Sequence, residues 1–261
     1  MKVLYLPLMG VLLLAAISQC TPNTRIVGGE NTVIERYPSL VQVEHFIPFY
    51  GAWNQNCAGN ILSSRWILSA AHCFPIQNST DYARIRAGSS FREFGGSVHY
   101  IDIIRIHPNY TKPAPHDADI SVIRVRTPFV YSPSIRPGVI ARQGYFLPDN
   151  SPATIAGWGA LYFGVPSSFM LQNVILQSIP REVCANLYQA NNMTITENMF
   201  CVNDWNWGWR NACHGDAGGA FYNRNIIVGV ASYTQGCGNP MFPTISTSVG
   251  AFSDWIITNA R

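Results

Sequence analysis

From Leu40 onward the chain is written in short β-branched and aromatic runs set between turns, and that spacing constrains its fold more than any other feature. Leu40 to Val43, Ile61-Leu62, Trp66 to Leu68, Tyr82 to Arg86, Val98 to Ile106 and Ile120 to Val125 read as strands. Thr154 to Ala156, Met170 to Gln177, Phe200 to Val202 and Ile226 to Val230 repeat the style in the second half. The result is an all-β body. Between the halves lies the proline-rich stretch Thr127 to Gly138, the best internal boundary, near residue 130. A short helical turn fits Glu182 to Gln189. At the C-terminus the period changes: Val249, Phe252, Trp255 and Ile256 recur at three- and four-residue steps, behind Ser246, Thr247 or Ser248 as a cap. One helix over 247–258, packed on the second β unit, is expected.

A length of 261 residues allows one large β domain or two small ones sharing an interface. Residues 1–20 read as a secretory signal peptide, with Lys2 ahead of an apolar run and a small polar exit at Ser18-Gln19-Cys20. The run is too short for a membrane anchor. Residues 21–25 are polar and end in Arg25, directly before the apolar Ile26. Cleavage there would create a new α-amine on Ile26.

Seven cysteines are present, and loss of Cys20 with the leader leaves six. An even count in a secreted chain predicts three bridges, with fifteen pairings open. No close cysteine pair or spaced histidine pair suggests a metal, and no cofactor is required. Sequons at Asn78, Asn109 and Asn192 could carry glycan on surface loops. Without Lys2 and Arg25 the chain keeps 15 basic residues against 14 acidic ones, which is no nucleic-acid footprint. Arginine outnumbers lysine 15 to 2. That ratio reads either as lineage composition or as adaptation to an alkaline secretion, where lysine would begin to lose its charge.

Chemistry is concentrated in three fragments. Ser69-Ala70-Ala71-His72-Cys73 and Asp119-Ile120-Ser121 precede Cys213-His214-Gly215-Asp216-Ala217-Gly218-Gly219-Ala220. The order histidine, aspartate, small-residue turn is that of one type of hydrolytic triad. Asp119 is preferred over Asp117 because it directly precedes the apolar strand, and His116 and Asp117 are read as loop residues. Position 217, where a nucleophile would stand, is alanine.

Taken with Ile26-Val27-Gly28-Gly29 and Gly157-Trp158-Gly159, these fragments resemble the trypsin/chymotrypsin-like serine protease family from Ile26 to the end of the chain. The arginine bias and short propeptide look like insect digestive trypsins, those of moths especially. The resemblance implies two six-stranded antiparallel β-barrels, over 26–130 and 131–246, with the cleft between them and the helix following. It implies the bridges Cys57-Cys73, Cys184-Cys201 and Cys213-Cys237. It implies activation at Arg25, with the amine of Ile26 pairing with Asp216, and an oxyanion hole from the amides of Gly215 and Ala217. His72 and Asp119 match the triad, and Ser232 matches a serine that contacts the aspartate.

Several positions depart from the pattern. Ala217 lacks the attacking oxygen, and Ala220 replaces a proline. Asn211 stands where trypsins carry the aspartate that meets a basic side chain. Thr234 and Thr244 replace glycines of the pocket wall, so a small, shallow or closed pocket is expected. Tyr233 replaces a tryptophan beside the substrate backbone and can still form a shelf. Trp205, Trp207 and Trp209 read either as rings packed on the second barrel or as an exposed patch.

The coordinated departures favour a protein that is not an enzyme, with only slow residual hydrolysis by a directly activated water left open: a secreted, monomeric pseudoprotease binding a peptide, a protease or an inhibitor in its cleft. The alternatives are a secreted endopeptidase with altered, non-tryptic specificity or an engineered block, and a structural or storage protein.

Overall fold

A computed structural model describes residues 29–75, 79–160, 164–204, 211–239 and 241–261. The leader, the propeptide, the Arg25–Ile26 junction, Asn78 and the three tryptophans of 205–210 lie outside the described residues.

Fourteen strands and two α-helices are present among them. In order they are β1 (Glu30–Asn31), β2 (Leu40–Ile47), β3 (Ala52–Ile61), β4 (Trp66–Ser69), β5 (Ala83–Ala87), β6 (Ser97–Ile106) and β7 (Ser121–Val125). Then come β8 (Val139–Ile140), β9 (Pro152–Gly157), β10 (Gln172–Ile179), α1 (Arg181–Gln189), β11 (Met199–Asn203), β12 (Ala220–Asn223), β13 (Ile226–Tyr233), β14 (Thr244–Ser248) and α2 (Val249–Asn259).

The first six-stranded barrel closes in the order β2-β3-β4-β7-β6-β5. The second runs β10-β11-β14-β13-β12-β9 and closes through the pairing of β9 with β10. Strand β1 adds to β10 from outside, and β8 lies parallel to β13. Closure leaves neither ring with a free edge. Alternation orients the side chains, as β5 shows: Ala83, Ile85 and Ala87 are buried, while Arg84 and Arg86 ion-pair with buried Glu44 at 2.6 Å and 2.5 Å. Glycine allows the closest approach in β13. A Cβ on Gly229 would lie 2.4 Å from the ring of Phe200, so that ring packs directly on the backbone.

Most strand boundaries shift by one or more residues from the sequence expectation, and β12 and β14 were not expected as strands; two of the differences bear on the site. The run expected to begin at Ile61 is the end of β3, which starts at Ala52 and is rich in asparagine and glutamine. Its buried amides are not left unpaired. Gln55 Nε2 donates to Gly215 O at 2.7 Å and Asn60 Nδ2 to Gly218 O at 3.1 Å, bolting the first barrel to the turn at 215–219 of the second. Helix α2 starts at Val249, two residues later than expected, because β14 continues through Ser248. Ser248 occupies the N-cap position but makes no side-chain capping bond.

Candidate active site

The seam between the barrels gathers the three chemical fragments. His72 follows β4, and Asp119 lies two residues ahead of β7, the strand paired with β4. That pairing brings the two residues together across 47 positions of sequence. His72 Nδ1 lies 2.7 Å from Asp119 Oδ2, and the His72 backbone N–H donates to Oδ1 at 2.9 Å. Behind them Ser232 Oγ, on β13, donates to the same Oδ2 at 2.5 Å. Thr247 Oγ1, on β14, donates to the Asp119 carbonyl at 3.1 Å. Both barrels therefore hold one fully buried carboxylate.

The electrostatics follow. Burial works against a charged imidazole at His72, but the hydrogen bond and negative charge of Asp119 outweigh it and raise its pKa. Burial likewise opposes ionisation of Asp119. The hydrogen bond and charge of His72, with the Ser232 hydroxyl, nevertheless hold its carboxyl below the usual carboxylate range. The pair is suited to orienting one histidine tautomer and stabilising its protonated form.

The 213–219 turn faces this pair. Gly215 has φ +103° and Gly218 has φ +82°, and a Cβ on Gly218 would meet Ala58 O at 2.2 Å. Ala217 O accepts from Ala58 N at 2.7 Å, and Gly218 N donates to Ala231 O at 2.8 Å. Among the described residues the amides of Gly215 and Ala217 have no protein acceptor, which leaves them for an oxyanion. Asp216 is fully buried between Gly157 and Gly159, accepting from Gly159 N at 2.8 Å and Cys213 N at 3.0 Å. Desolvation pushes its pKa up to about 6, only partly offset by those two amides. Its expected partner, Ile26, lies outside the described residues.

Beside Ala217 lies a pocket of about 180 Å³ walled by Ala212, Ser232, Tyr233, Thr234 and Thr244. Asn211 sits buried behind it with its amide engaged: Oδ1 accepts from Gly238 N at 2.7 Å and Nδ2 faces Thr234 Oγ1 at 3.5 Å. Thr244 Oγ1 accepts from Ala212 N at 3.2 Å. The walls are thus tied to one another and present no net charge. On the other side of His72 and Ala217 opens a groove of about 980 Å³, bordered by Asn54, Asn56, the Cys57–Cys73 bridge and Val165.

The remaining expected residues fall outside the catalytic pair. Disulfides join Cys57 to Cys73, Cys184 to Cys201 and Cys213 to Cys237. Asn109 and Asn192 are exposed. Asp117 turns away from His72, with its Oδ1 accepting from Ala118 N at 2.6 Å and Asn198 Nδ2 at 3.0 Å. His116 was missed as a site residue. Its ring stacks on Tyr233 with centroids 4.6 Å apart, enlarging the shelf beside the pocket. Its position three residues before Asp119 was the only available signal, and a loop with positive φ at His116 and Ala118 hid its direction.

Two closed six-stranded barrels, with a histidine–aspartate pair and open amides on their seam, define a chymotrypsin-like serine protease fold. Comparison with known proteins narrows the class. The family model described as Trypsin matches residues 26–256, so the chain belongs to the trypsin family. It is 36% identical over 247 residues to "Trypsin, alkaline C" of Manduca sexta, covering 94% of this chain and 95% of that protein. It is 37% identical over 241 residues to "Trypsin CFT-1" of Choristoneura fumiferana, with 90% and 91% covered. The "Vitellin-degrading protease" of Bombyx mori is 32% identical over 256 residues, with 96% and 93% covered.

These relatives correct one expectation. Reading the chain as not an enzyme does not stand, because the proteins it matches along nearly their whole length are named trypsins and a protease, a class of serine endopeptidases. The physical reason is that an alanine at 217 removes one attacking oxygen and nothing else. The histidine–aspartate pair, the amides and the cleft do not depend on that side chain, and catalysis above the uncatalysed rate survives loss of a triad member. Members of the family bind protein or peptide substrates and inhibitors. No helix of the described residues is long and apolar enough to cross a membrane.

Proposed function

We propose that this chain is a secreted trypsin-family endopeptidase of non-tryptic specificity. Its cleft binds an extended peptide with a small, uncharged side chain in the pocket, and it hydrolyses through a water activated by His72. The observation that carries the specificity is Asn211: buried, neutral and with its amide oxygen already bonded to Gly238 N, it has no charge for a basic side chain. Thr234 and Thr244 shorten the space in front of it.

The chemistry follows from what the seam retains. Ala217 carries a methyl group, so no acyl-enzyme forms on it. His72 Nε2 takes a proton from water as the oxygen adds to the carbonyl. Negative charge gathers against the amides of Gly215 and Ala217, and His72 returns the proton to the departing amine. Asp119, itself held by the Ser232 hydroxyl, holds the imidazole. Cleavage after Arg25 by a processing protease and pairing of Ile26 with Asp216 belong to the same reading, as does capture of protein inhibitors by the cleft.

The test compares hydrolysis of p-nitrophenyl esters of acetyl-alanine and acetyl-arginine by the chain, His72→Ala and Ala217→Ser. The chain should turn over the alanine ester above the His72→Ala rate without a burst. Ala217→Ser should gain a burst and a rate higher by up to about 10⁶-fold, still favouring alanine. Equal rates for the chain and His72→Ala would overturn the hydrolytic step. A preference of Ala217→Ser for the arginine ester would overturn the pocket assignment.

A further inference from the structure

Where the proline-rich stretch between the barrels passes the start of β2, it closes a further depression of about 280 Å³ that shares no lining residue with the cleft. Arg136 N donates to Pro38 O at 2.9 Å and Gly138 N to Ile61 O at 2.8 Å, fixing that stretch against the first barrel. Strand β12 of the second barrel adds Tyr222. Its ring meets that of Tyr37, with centroids 5.6 Å apart. Small-ligand sites favour such junctions, and their volumes begin at about 300 Å³.

The depression is positively charged. Arg36 and Arg136 line it, both exposed, and among the described residues neither pairs with a carboxylate. Of the five N–H groups on the Arg136 side chain, one is engaged, from Nε to Ser132 O at 3.3 Å. Guanidinium forks beside aromatic faces match a carboxylate carried on a flat ring.

Tyr222 links this depression to the reactive turn. Its hydroxyl donates to Asn60 Oδ1 at 3.1 Å, so in the 3.0 Å contact with Ser39 Oγ the serine donates. Asn60 is fully buried and passes the link on through Nδ2 to Gly218 O. Gly218, held at φ +82°, directly follows Ala217. A close-packed interior with every member bonded transmits a displacement of the phenol oxygen instead of absorbing it.

We propose that this depression is a regulatory site for a small aromatic carboxylate. The carboxylate sits on Arg36 and Arg136 and the ring against Tyr37 and Tyr222, and occupancy shifts the turn at Gly218 through Tyr222 and Asn60. The volume suits a single ring, so the ligand is a free acid and not the end of a peptide.

The test is an NMR titration of the isotope-labelled chain with phenylacetate, phenylacetamide and acetate. Phenylacetate should bind about tenfold tighter than the other two and move the amide signal of Gly218. Arg36→Gln with Arg136→Gln, both at exposed positions, should reduce its affinity to that of the neutral amide. Tyr222→Phe keeps the ring, and should keep the binding while leaving Gly218 unmoved. Equal affinity for phenylacetate and phenylacetamide, or affinity unchanged in the double variant, overturns the site. Binding that leaves Gly218 still in the parent chain, or moves it equally in Tyr222→Phe, overturns the coupling. Tighter binding of acetyl-glycyl-phenylalanine than of phenylacetate would assign the depression to a peptide C-terminus and overturn the small-molecule ligand. None of these readouts involves hydrolysis, so they stand apart from the proposed activity.

Discussion

Asp119 shows how much chemistry one buried side chain organises. Both of its carboxylate oxygens are engaged, by the His72 ring, the His72 backbone and Ser232. Replacing it with asparagine keeps the shape and removes the charge that raises the His72 pKa. In an NMR titration the His72 ring of the parent chain should therefore titrate above its ordinary 6.5, and that of Asp119→Asn should titrate lower. A midpoint that did not move would mean that Asp119 does not set the histidine's charge. The sign for stability is the same. A histidine whose pKa is raised by folding contributes stability that is complete below pH 6.5 and fades as pH rises through the folded value. In sequence His72 and Asp119 were legible because their neighbours spell a recognisable pattern. His116 was not, because a loop has no periodicity from which to read a direction.

Elements were legible where they are hydrophobic and obscure where polarity has a partner. Strands such as β7 and β13 announce themselves by consecutive apolar residues. Strand β3 does not, since Gln55 and Asn60 look solvent-facing until the turn at 215–219 arrives to accept their bonds. The two-residue strands β1 and β8 carry too few residues for any pattern and exist only through β10 and β13. Close packing sets limits at this scale too. Gly229→Ala in β13 would drive a methyl group to 2.4 Å from the Phe200 ring and 2.2 Å from Ser246 Oγ. The expected loss is about 1–3 kcal/mol, measured by chemical denaturation, from overpacking at the β11–β13–β14 junction. An unchanged midpoint would show that Phe200 can swing aside freely.

Across the whole molecule, buried Asp216 ties the turn that carries Ala217 to Gly159, 57 positions away in sequence. Its carboxyl is lifted from an ordinary 3.8 to about 6, so the folded chain holds that proton more tightly than the unfolded one. Stability must then fall as pH rises between those values, by an amount on the order of 3 kcal/mol. In thermal melts of the uncleaved chain across pH 4–7, Asp216→Asn should flatten this slope. Its overall stability should be lower, because Gly159 N and Cys213 N donate to different carboxylate oxygens and asparagine puts an NH₂ donor in place of one of them. A slope unchanged by the substitution would place the proton elsewhere. Under the proposed activation, cleavage after Arg25 supplies a cation for this carboxylate and should stabilise the chain at pH 7 more than at pH 4.

Sequence alone determined the all-β character, the helix at the C-terminus, the family and the identity of the residues at each catalytic position, since these depend on local pattern and on which atoms a side chain carries. The alanine at 217 and the asparagine at 211 could be read directly. Tertiary structure decided what those residues do in company. Only folding shows that Asn211 spends its amide oxygen on Gly238 N and that His116 stacks on Tyr233. Those facts join atoms far apart in the chain, and barrel closure, not local preference, brings them within reach.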